Sequence, residues 1–284
     1  MYNGPGSHDG WERIRFGTDG WRGVIARDFT FANVRLVARA IARYVRQDAE
    51  GREPRGLAVG YDRRFLSERF AREAAETAAR EGLPVTLTAT PVPTPCLAFL
   101  VRKRELDGGI MITASHNPPE FNGLKFKPPY GGSATTAITG PIQEEANRLL
   151  AEGDEPPAAD LEAAAREGRV HTWQPEPEYL EVLLPQVDRE LIRRASLAVV
   201  ADPMHGAARL VLAEALRQAG CREVHLIRGD HNPAFGGVNP EPIEANLLPL
   251  VQAVRERPGV AAGLAVDGDG DRIGAVDEQG RFVN

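Results

Sequence analysis

The chain carries four short apolar runs, Leu57-Ala-Val-Gly60, Ile110-Met-Ile112, Leu197-Ala-Val-Val200 and Leu264-Ala-Val266, each bounded by glycine or polar residues. Runs of this length without alternation read as strands buried on both faces. Between them lie helical stretches, Ser67 to Arg80 closed by Gly82 and Ala207 to Ala219 closed by Gly220, with glycine as the left-handed stop. Strand, helix, strand succession predicts a parallel sheet. The unit Leu57–Asp62, helix, Gly82, Val85–Leu87 is matched in order and spacing by Leu197–Asp202, helix, Gly220, Val224–Ile227. The expected fold class is therefore α/β, with two tandem, similar domains on mixed, mainly parallel sheets. The first is expected over 1–150 and the second over 178–284, opening with a helix from about Pro177 to Arg194. Residues 151–177, which show no strand pattern, are expected to link them.

Every run ends in polar residues: Asp62-Arg63-Arg64, Ser115-His116-Asn117, Asp202 and Asp267-Gly-Asp269-Gly-Asp271. Ligands of open α/β sheets sit at that C-terminal edge, so the candidate chemistry is expected there.

Composition narrows the classes. With 284 residues, 42% apolar and 26% charged, the chain is long enough for two cores, and disorder, collagen and coiled coil are excluded. No apolar run approaches the roughly 18 residues of a membrane helix, and the polar start Met1 to Gly10 is unlike a signal peptide, so a cytoplasmic protein without a membrane partner is expected. The tail Gly4-Pro5-Gly6-Ser7-His8 carries no fold argument. Cys96 and Cys221, far apart, support neither a disulfide framework nor a thiolate zinc site. A net charge of −6 without a basic stripe argues against nucleic acid. The basic residues are 31 arginines and only three lysines, at 103, 125 and 127, a skew that most often reflects genome composition.

Two segments carry most of the chemistry. In Thr113-Ala-Ser115-His116-Asn117-Pro-Pro119, a serine at a strand-to-loop turn suits a nucleophile or a carried phosphate. The same residues equally cap a turn before two prolines. His116 is not the base of a serine-hydrolase triad, because adjacent residues point apart and no Gly-x-Ser-x-Gly elbow is present. In Asp267-Gly268-Asp269-Gly270-Asp271-Arg272, three carboxylates repel one another unless a cation is bound, and all-oxygen ligands select magnesium or calcium over zinc. An EF-hand is excluded: Arg272 stands where its loop needs glycine, and a strand rather than a helix leads in. A solvated acidic turn is the plain alternative. Such a short loop leaves coordination positions that magnesium fills with water and phosphate oxygens, which implies a phosphorylated partner.

Three further segments add cations. Phe16-Gly-Thr18-Asp19-Gly20-Trp21-Arg22-Gly23 ends in an arginine able to hold a phosphate bidentately, although Gly-Thr-Asp-Gly is also a common turn. Arg64 is a phosphate ligand on one reading and a partner of Asp62 on the other, which is preferred. Alternation in Leu124-Lys125-Phe126-Lys127 puts both lysines on one strand face, either as an acid/base group with its neighbour or as two solvated lysines.

Together, Phe16–Gly23, Thr113–Pro118 with Asn122–Lys125, and Asp267–Arg272 resemble the α-D-phosphohexomutase family in order and separation. So do Val59–Ser67 and Phe235–Pro242 with Asn246-Leu247. The resemblance implies that Ser115 carries a phosphoryl group, that Asp267, Asp269 and Asp271 bind one Mg²⁺ with a phosphoserine oxygen, and that a hexose 1,6-bisphosphate is the intermediate and activator. It implies a phosphoryl group moved between C1 and C6 of a hexose phosphate. Arg22 and Lys125 would stabilise the moving group and handle the hydroxyl proton, His116 would hydrogen-bond locally, and Arg22, Arg64, Asn122, Lys125 and Arg272 are the expected phosphate-binding residues. Trp21-Arg22-Gly23 and the serine loop look more like phosphoglucomutase/phosphomannomutase members than phosphoglucosamine mutases.

Family members have four domains, the third recognising the sugar and the fourth clamping the non-reacting phosphate. Here the chain ends 13 residues beyond Asp271. The expectation is the phosphoserine and metal half of a mutase: a cut-down form, a gene fragment, or a subunit whose partner chain supplies domains III and IV. Little turnover is expected of it alone. Two other functions compete. One is a non-catalytic phosphate- and metal-binding module. The other is a phosphatase of the haloacid dehalogenase type with Asp267 as nucleophile, which leaves Ser115 unused.

Overall fold

The computed structural model describes residues 13–17, 20–158 and 160–283; Thr18 and Asp19 of the first glycine-rich segment, and the tail at 4–8, lie outside them. The elements of the first part are β1 (Phe16–Gly17), β2 (Gly20–Val24), α1 (Phe31–Asp48), β3 (Leu57–Tyr61), α2 (Ser67–Arg80), β4 (Val85–Thr88), α3 (Thr94–Lys103), β5 (Gly108–Ile112), β6 (Phe121–Lys127), α4 (Thr136–Glu152), α5 (Leu161–Arg166) and β7 (Val170–Trp173). The second part holds α6 (Glu176–Leu183), α7 (Arg189–Ala195), β8 (Ala198–Asp202), α8 (Arg209–Ala219), β9 (Glu223–Leu226), α9 (Leu248–Arg255), β10 (Val260–Val266), β11 (Ile273–Asp277) and β12 (Phe282–Val283).

The strands form a seven-stranded sheet, β1-β2-β6-β5-β3-β4-β7, and a five-stranded sheet, β12-β11-β10-β8-β9. Both are mixed. Parallel pairs join β5, β3, β4 and β7 in the first and β10, β8 and β9 in the second, and the remaining pairs are antiparallel. The duplication read from the sequence is real and larger than expected. The succession β3-α2-β4-α3-β5-β6 with strand order β6-β5-β3-β4 recurs as β8-α8-β9-α9-β10-β11 with order β11-β10-β8-β9. The serine loop after β5 and the acidic loop after β10 therefore occupy equivalent places in the two copies.

The central strands are buried throughout, as unbroken apolar runs require: every residue of β3, β5 and β8 is shielded. Helices α1, α2 and α4 cover one face of the first sheet through Val34, Ile41, Phe70, Ala74 and Ile142, while α3 covers the other through Leu97, Leu100 and Val101. In the second sheet, α9 packs on β8 and β10 through Leu250 and Val254.

Two expectations fail. Residues 151–177 contain α5 and the edge strand β7, which pairs in parallel with β4 from Val85↔Val170 to Thr88↔Trp173. Its buried residues, Val170 and Trp173, are three apart, so no alternation announces it. The expected helix from Pro177 to Arg194 is instead α6, a 3₁₀ turn at Leu184–Gln186 and α7. Pro185 cannot donate to the preceding turn, and Asp188 starts a new helix by accepting from the Leu191 N–H at 2.9 Å.

Candidate active site

The serine loop starts where β5 leaves the sheet. The Thr113 N–H still reaches the Gly123 carbonyl at 2.9 Å, and Thr113 Oγ1 then accepts the Ser115 N–H at 2.8 Å. This turn holds Ser115 in the left-handed region, at φ +53°, with its side chain buried. A non-glycine residue there is strained and needs support from its surroundings.

Arg64 supplies that support. Its guanidinium is fully buried, lies 3.3 Å from Asp62, and donates to the carbonyls of Ser115 (2.7 Å), Asn117 (2.6 Å), Pro118 (2.8 Å) and Phe121 (3.1 Å). Phe235, from the second domain, stacks on it with its ring centroid 4.9 Å away. Burial lowers the Arg64 pKa and raises that of Asp62, although each offsets the other through its opposite charge. The preferred reading of Arg64 as a partner of Asp62 holds, and its role is to shape the loop; its donors face protein carbonyls rather than a ligand. Asn122 is likewise buried and committed, giving its amide N–H to Ser67 Oγ at 2.9 Å and Phe65 O at 3.3 Å. The expected phosphate contacts of these two residues are not what the geometry offers.

The acidic loop meets the serine from the other sheet. Ser115 Oγ donates to Asp267 Oδ2 at 3.1 Å, while Asp267 Oδ1 accepts the backbone N–H groups of Asp271 (2.8 Å) and Arg272 (3.1 Å). Asp267, Asp269 and Asp271 offer oxygens all within 4.8 Å of one another, the first two buried and the third open to solvent. The loops touch closely. A Cβ at position 268 would lie 2.6 Å from the Ser115 carbonyl, which only glycine avoids.

Lys125 reaches this cluster from β6, its Nζ 3.0 Å from Asp269 Oδ2 and 3.3 Å from Asp271 Oδ2. Lys125 and Lys127 share a face as expected, but both are buried, so the solvated-lysine alternative is wrong. The electrostatics follow. Burial and the neighbouring Asp269 and Asp271 carboxylates push Asp267 up to about 8. Burial also opposes ionisation of Asp269, but the Lys125 charge and hydrogen bonds from Thr94 and Lys125 outweigh it, holding this group down at about 2.

The remaining candidates ring the same point. His116 Nδ1 lies 3.4 Å from Ser115 Oγ, and burial with the Arg272 charge lowers its pKa, favouring the neutral ring. Arg22, on β2 beside Gly123, donates to Asn117 Oδ1 at 2.5 Å and is half-buried. Arg272 is half-exposed, held loosely by Glu241 at 3.4 Å. His116 beside Ser115, Arg22 on Asn117, Lys125 on Asp269 and Asp271, and Arg272 next to Asp271 thus bring donors to the two loops.

The donor set fits a hard divalent cation. It is all oxygen, drawn from three carboxyl groups, and Asp269 Oδ1 is buried without a hydrogen-bond partner among the described residues, as a ligand atom would be. Sequence reasoning missed Thr94, whose hydroxyl donates to Asp269 at 2.6 Å; its setting, Pro93-Thr94-Pro95, carries no chemical signature.

Known proteins match along almost the whole chain. A family model for phosphoglucomutase/phosphomannomutase, alpha/beta/alpha domain I, matches residues 13–152, and that for domain II matches 177–280. A phosphoglucomutase/phosphomannomutase of Thermococcus kodakarensis is 32% identical over 268 residues, covering 94% of this chain and 56% of its own. A phosphoglucosamine mutase of Bordetella pertussis is 34% identical, covering 96% of this chain and 59% of its own. Among solved structures, a Thermus thermophilus protein provisionally assigned as a phosphomannomutase superposes with a TM-score of 0.82 at 38% identity, over 96% of this chain and 59% of that one. An Aspergillus fumigatus N-acetylphosphoglucosamine mutase in complex with GlcNAc-6P and magnesium shares the fold at a TM-score of 0.52 and 16% identity, over 96% of this chain and 52% of that one. The chain spans little more than half the length of these proteins.

Proposed function

Because this chain belongs to the phosphoglucomutase/phosphomannomutase family and matches its domains I and II, we propose that it is the phosphoryl-carrying part of a phosphohexomutase, with Ser115 as carrier. The observation that carries this reading is the contact between Ser115 Oγ, on a strained turn of one domain, and Asp267 of the acidic loop of the other. Asp267, Asp269 and Asp271 would hold a magnesium ion, which supplies charge neutralisation for a phosphoryl group in transfer.

Charging starts from a hexose 1,6-bisphosphate. The Ser115 Oγ–P bond forms as the bond between phosphorus and the sugar oxygen breaks, and the serine proton ends on the departing sugar oxygen. Charge spreads over the phosphoryl oxygens in transit, and Arg22, bound to Asn117 of the serine loop, with Lys125 and Arg272, next to Asp271, would provide the positive charge that stabilises it. His116, whose Nδ1 lies near Oγ and whose ring is biased to its neutral form, would relay the proton, with Lys125, paired to Asp269, as the other candidate. In turnover the charged serine gives its phosphoryl to the free hydroxyl of a hexose monophosphate, the Ser115 Oγ–P bond breaking as the new O–P bond forms and the sugar hydroxyl proton passing to Oγ. The bisphosphate then reorients, and its other phosphoryl group moves to Ser115 by the charging step, leaving the isomeric monophosphate. Relatives named for glucose or mannose and for glucosamine match comparably, which supports phosphoglucosamine as a candidate substrate beside the phosphates of glucose and mannose. Efficient turnover is assigned to the longer assembly these relatives represent, and phosphoryl uptake to the residues described.

The test compares Ser115→Ala with Asp267→Asn. After incubation with Mg²⁺ and glucose 1,6-bisphosphate, S115A takes up no phosphoryl group, whereas D267N is slowed by weakened metal binding but is labelled at Ser115. Labelling of S115A at Asp267 would establish the aspartyl-phosphatase alternative instead.

A further inference from the structure

Asp269 is held by a residue of the opposite domain. Thr94, the first residue of α3, donates its hydroxyl to Asp269 Oδ2 at 2.6 Å and its backbone N–H to the Asp269 carbonyl at 2.8 Å. The link joins positions 175 residues apart, and Thr94 is only 3% exposed. Its mounting is stiff, because Pro93 and Pro95 flank it and each fixes its own φ. Gly270 completes the fit. It sits at φ +71°, and a Cβ there would lie 2.9 Å from Pro93 Cβ, so the acidic loop is moulded against this proline corner.

Two donors share Asp269 Oδ2, Thr94 and Lys125, and they differ in what a cation would do to them. An ammonium 3.0 Å from a metal ligand is repelled by an arriving divalent ion, whereas a neutral hydroxyl is not. With Oδ2 engaged, the Asp269 oxygen left buried and without a hydrogen-bond donor among the described residues is Oδ1. A carboxylate so oriented presents one defined oxygen, which is how outer hydrogen bonds tune metal ligands generally.

We propose that Thr94 is a positioning residue for the metal centre: its hydroxyl fixes the Asp269 carboxylate so that Oδ1 is the oxygen offered to a divalent cation. Since Thr94 and Asp269 come from different domains, the same bond ties cation affinity to the docking of the two. The proposal rests on the metal-binding reading of the acidic loop given above.

The test is Mn²⁺ binding to the 284-residue chain, followed by loss of the free-ion electron paramagnetic resonance signal. Thr94→Val keeps the shape without the hydroxyl, Thr94→Ala removes the donor with no added methyl, and Thr94→Ser keeps the donor. Thermal melts in chelator identify which variants are folded. T94V and T94A are expected to bind about 10–100-fold more weakly than the parent, with T94S restoring most of the loss. Unchanged affinity in a folded T94V or T94A, or a T94S as weak as they are, overturns the proposal while leaving the metal reading intact. A parent chain that binds no Mn²⁺ overturns both.

Discussion

At the scale of single residues, two buried cations have opposite jobs. Arg64 is committed to backbone carbonyls of the serine loop and to Asp62, so it is part of the scaffold. Lys125 is committed to Asp269 and Asp271, so it stands where a metal would also act. Removing either cation leaves buried carboxylate uncompensated, a loss of about 3–5 kcal/mol. Arg64→Met and Lys125→Met are therefore both expected to unfold at lower denaturant in chelator. Adding Mg²⁺ should recover much of the loss in K125M and little in R64M, and equal recovery would contradict this division of roles. Ser115 and the three aspartates were legible at one edge because each follows a recognisable strand, and Lys125 was legible on a strand face just past the serine loop. The part played by Arg64 was only half legible: the Asp62 partnership follows from adjacency, whereas the carbonyls of a loop 51 residues and more along the chain are brought to it only by folding. Thr94 was not legible, since a threonine between prolines is chemically silent until another domain's carboxylate is set against it.

At the scale of elements, turns are pinned by carboxylates far from the site. Asp107, at the start of β5, accepts the N–H groups of Arg55 (2.6 Å) and Gly56 (3.1 Å) and the Arg52 guanidinium (2.6 Å), fixing the entry to β3. Burial pushes its carboxyl up, but these hydrogen bonds outweigh it and hold the group below the ordinary aspartate range. A folded-state pKa below the unfolded one stabilises the fold at pH above the unfolded value, and the gain is lost as pH falls through the folded value. Asp107→Asn is expected to cost about 1–3 kcal/mol at about pH 7, the penalty of a buried hydrogen-bond partner removed. The gap to the parent should begin to narrow as pH falls below about 4 and close only once the folded-state carboxyl is protonated, as urea titrations at several pH values would show. The long apolar strands and α2 were readable because burial on both faces, or a helical period over 14 residues, leaves a strong pattern. Strand β7 was not, because an edge strand of four residues with shielded ends and exposed middle has no period to detect.

At the scale of the molecule, two copies of one topology present equivalent loops to each other, and the site is the seam. Ser115 to Asp267, Thr94 to Asp269, Lys125 to Asp269, Arg63 to the Gly229 carbonyl and Arg64 to Phe235 all cross it. A cation at the acidic loop should therefore stabilise both copies together. Mg²⁺ at a hundredfold excess over its dissociation constant adds about 2.7 kcal/mol, which calorimetry should register as an upward shift of the melting transition that Asp267→Asn diminishes. A shift confined to one of two separate transitions would contradict a shared seam. The duplication was visible in the sequence as repeated strand-helix-strand spacing. That the copies face each other loop to loop was not, since no local pattern encodes the docking of two sheets.

The most direct measurement is the intact mass of the parent chain, with peptide mapping, before and after incubation with glucose 1,6-bisphosphate, with Mg²⁺ and with chelator. A single phosphoryl group on the peptide containing Ser115, gained with Mg²⁺ and suppressed by chelator, is the predicted result. Failure of Ser115 to gain phosphate under any of these conditions, or uptake indifferent to the metal, would contradict the account.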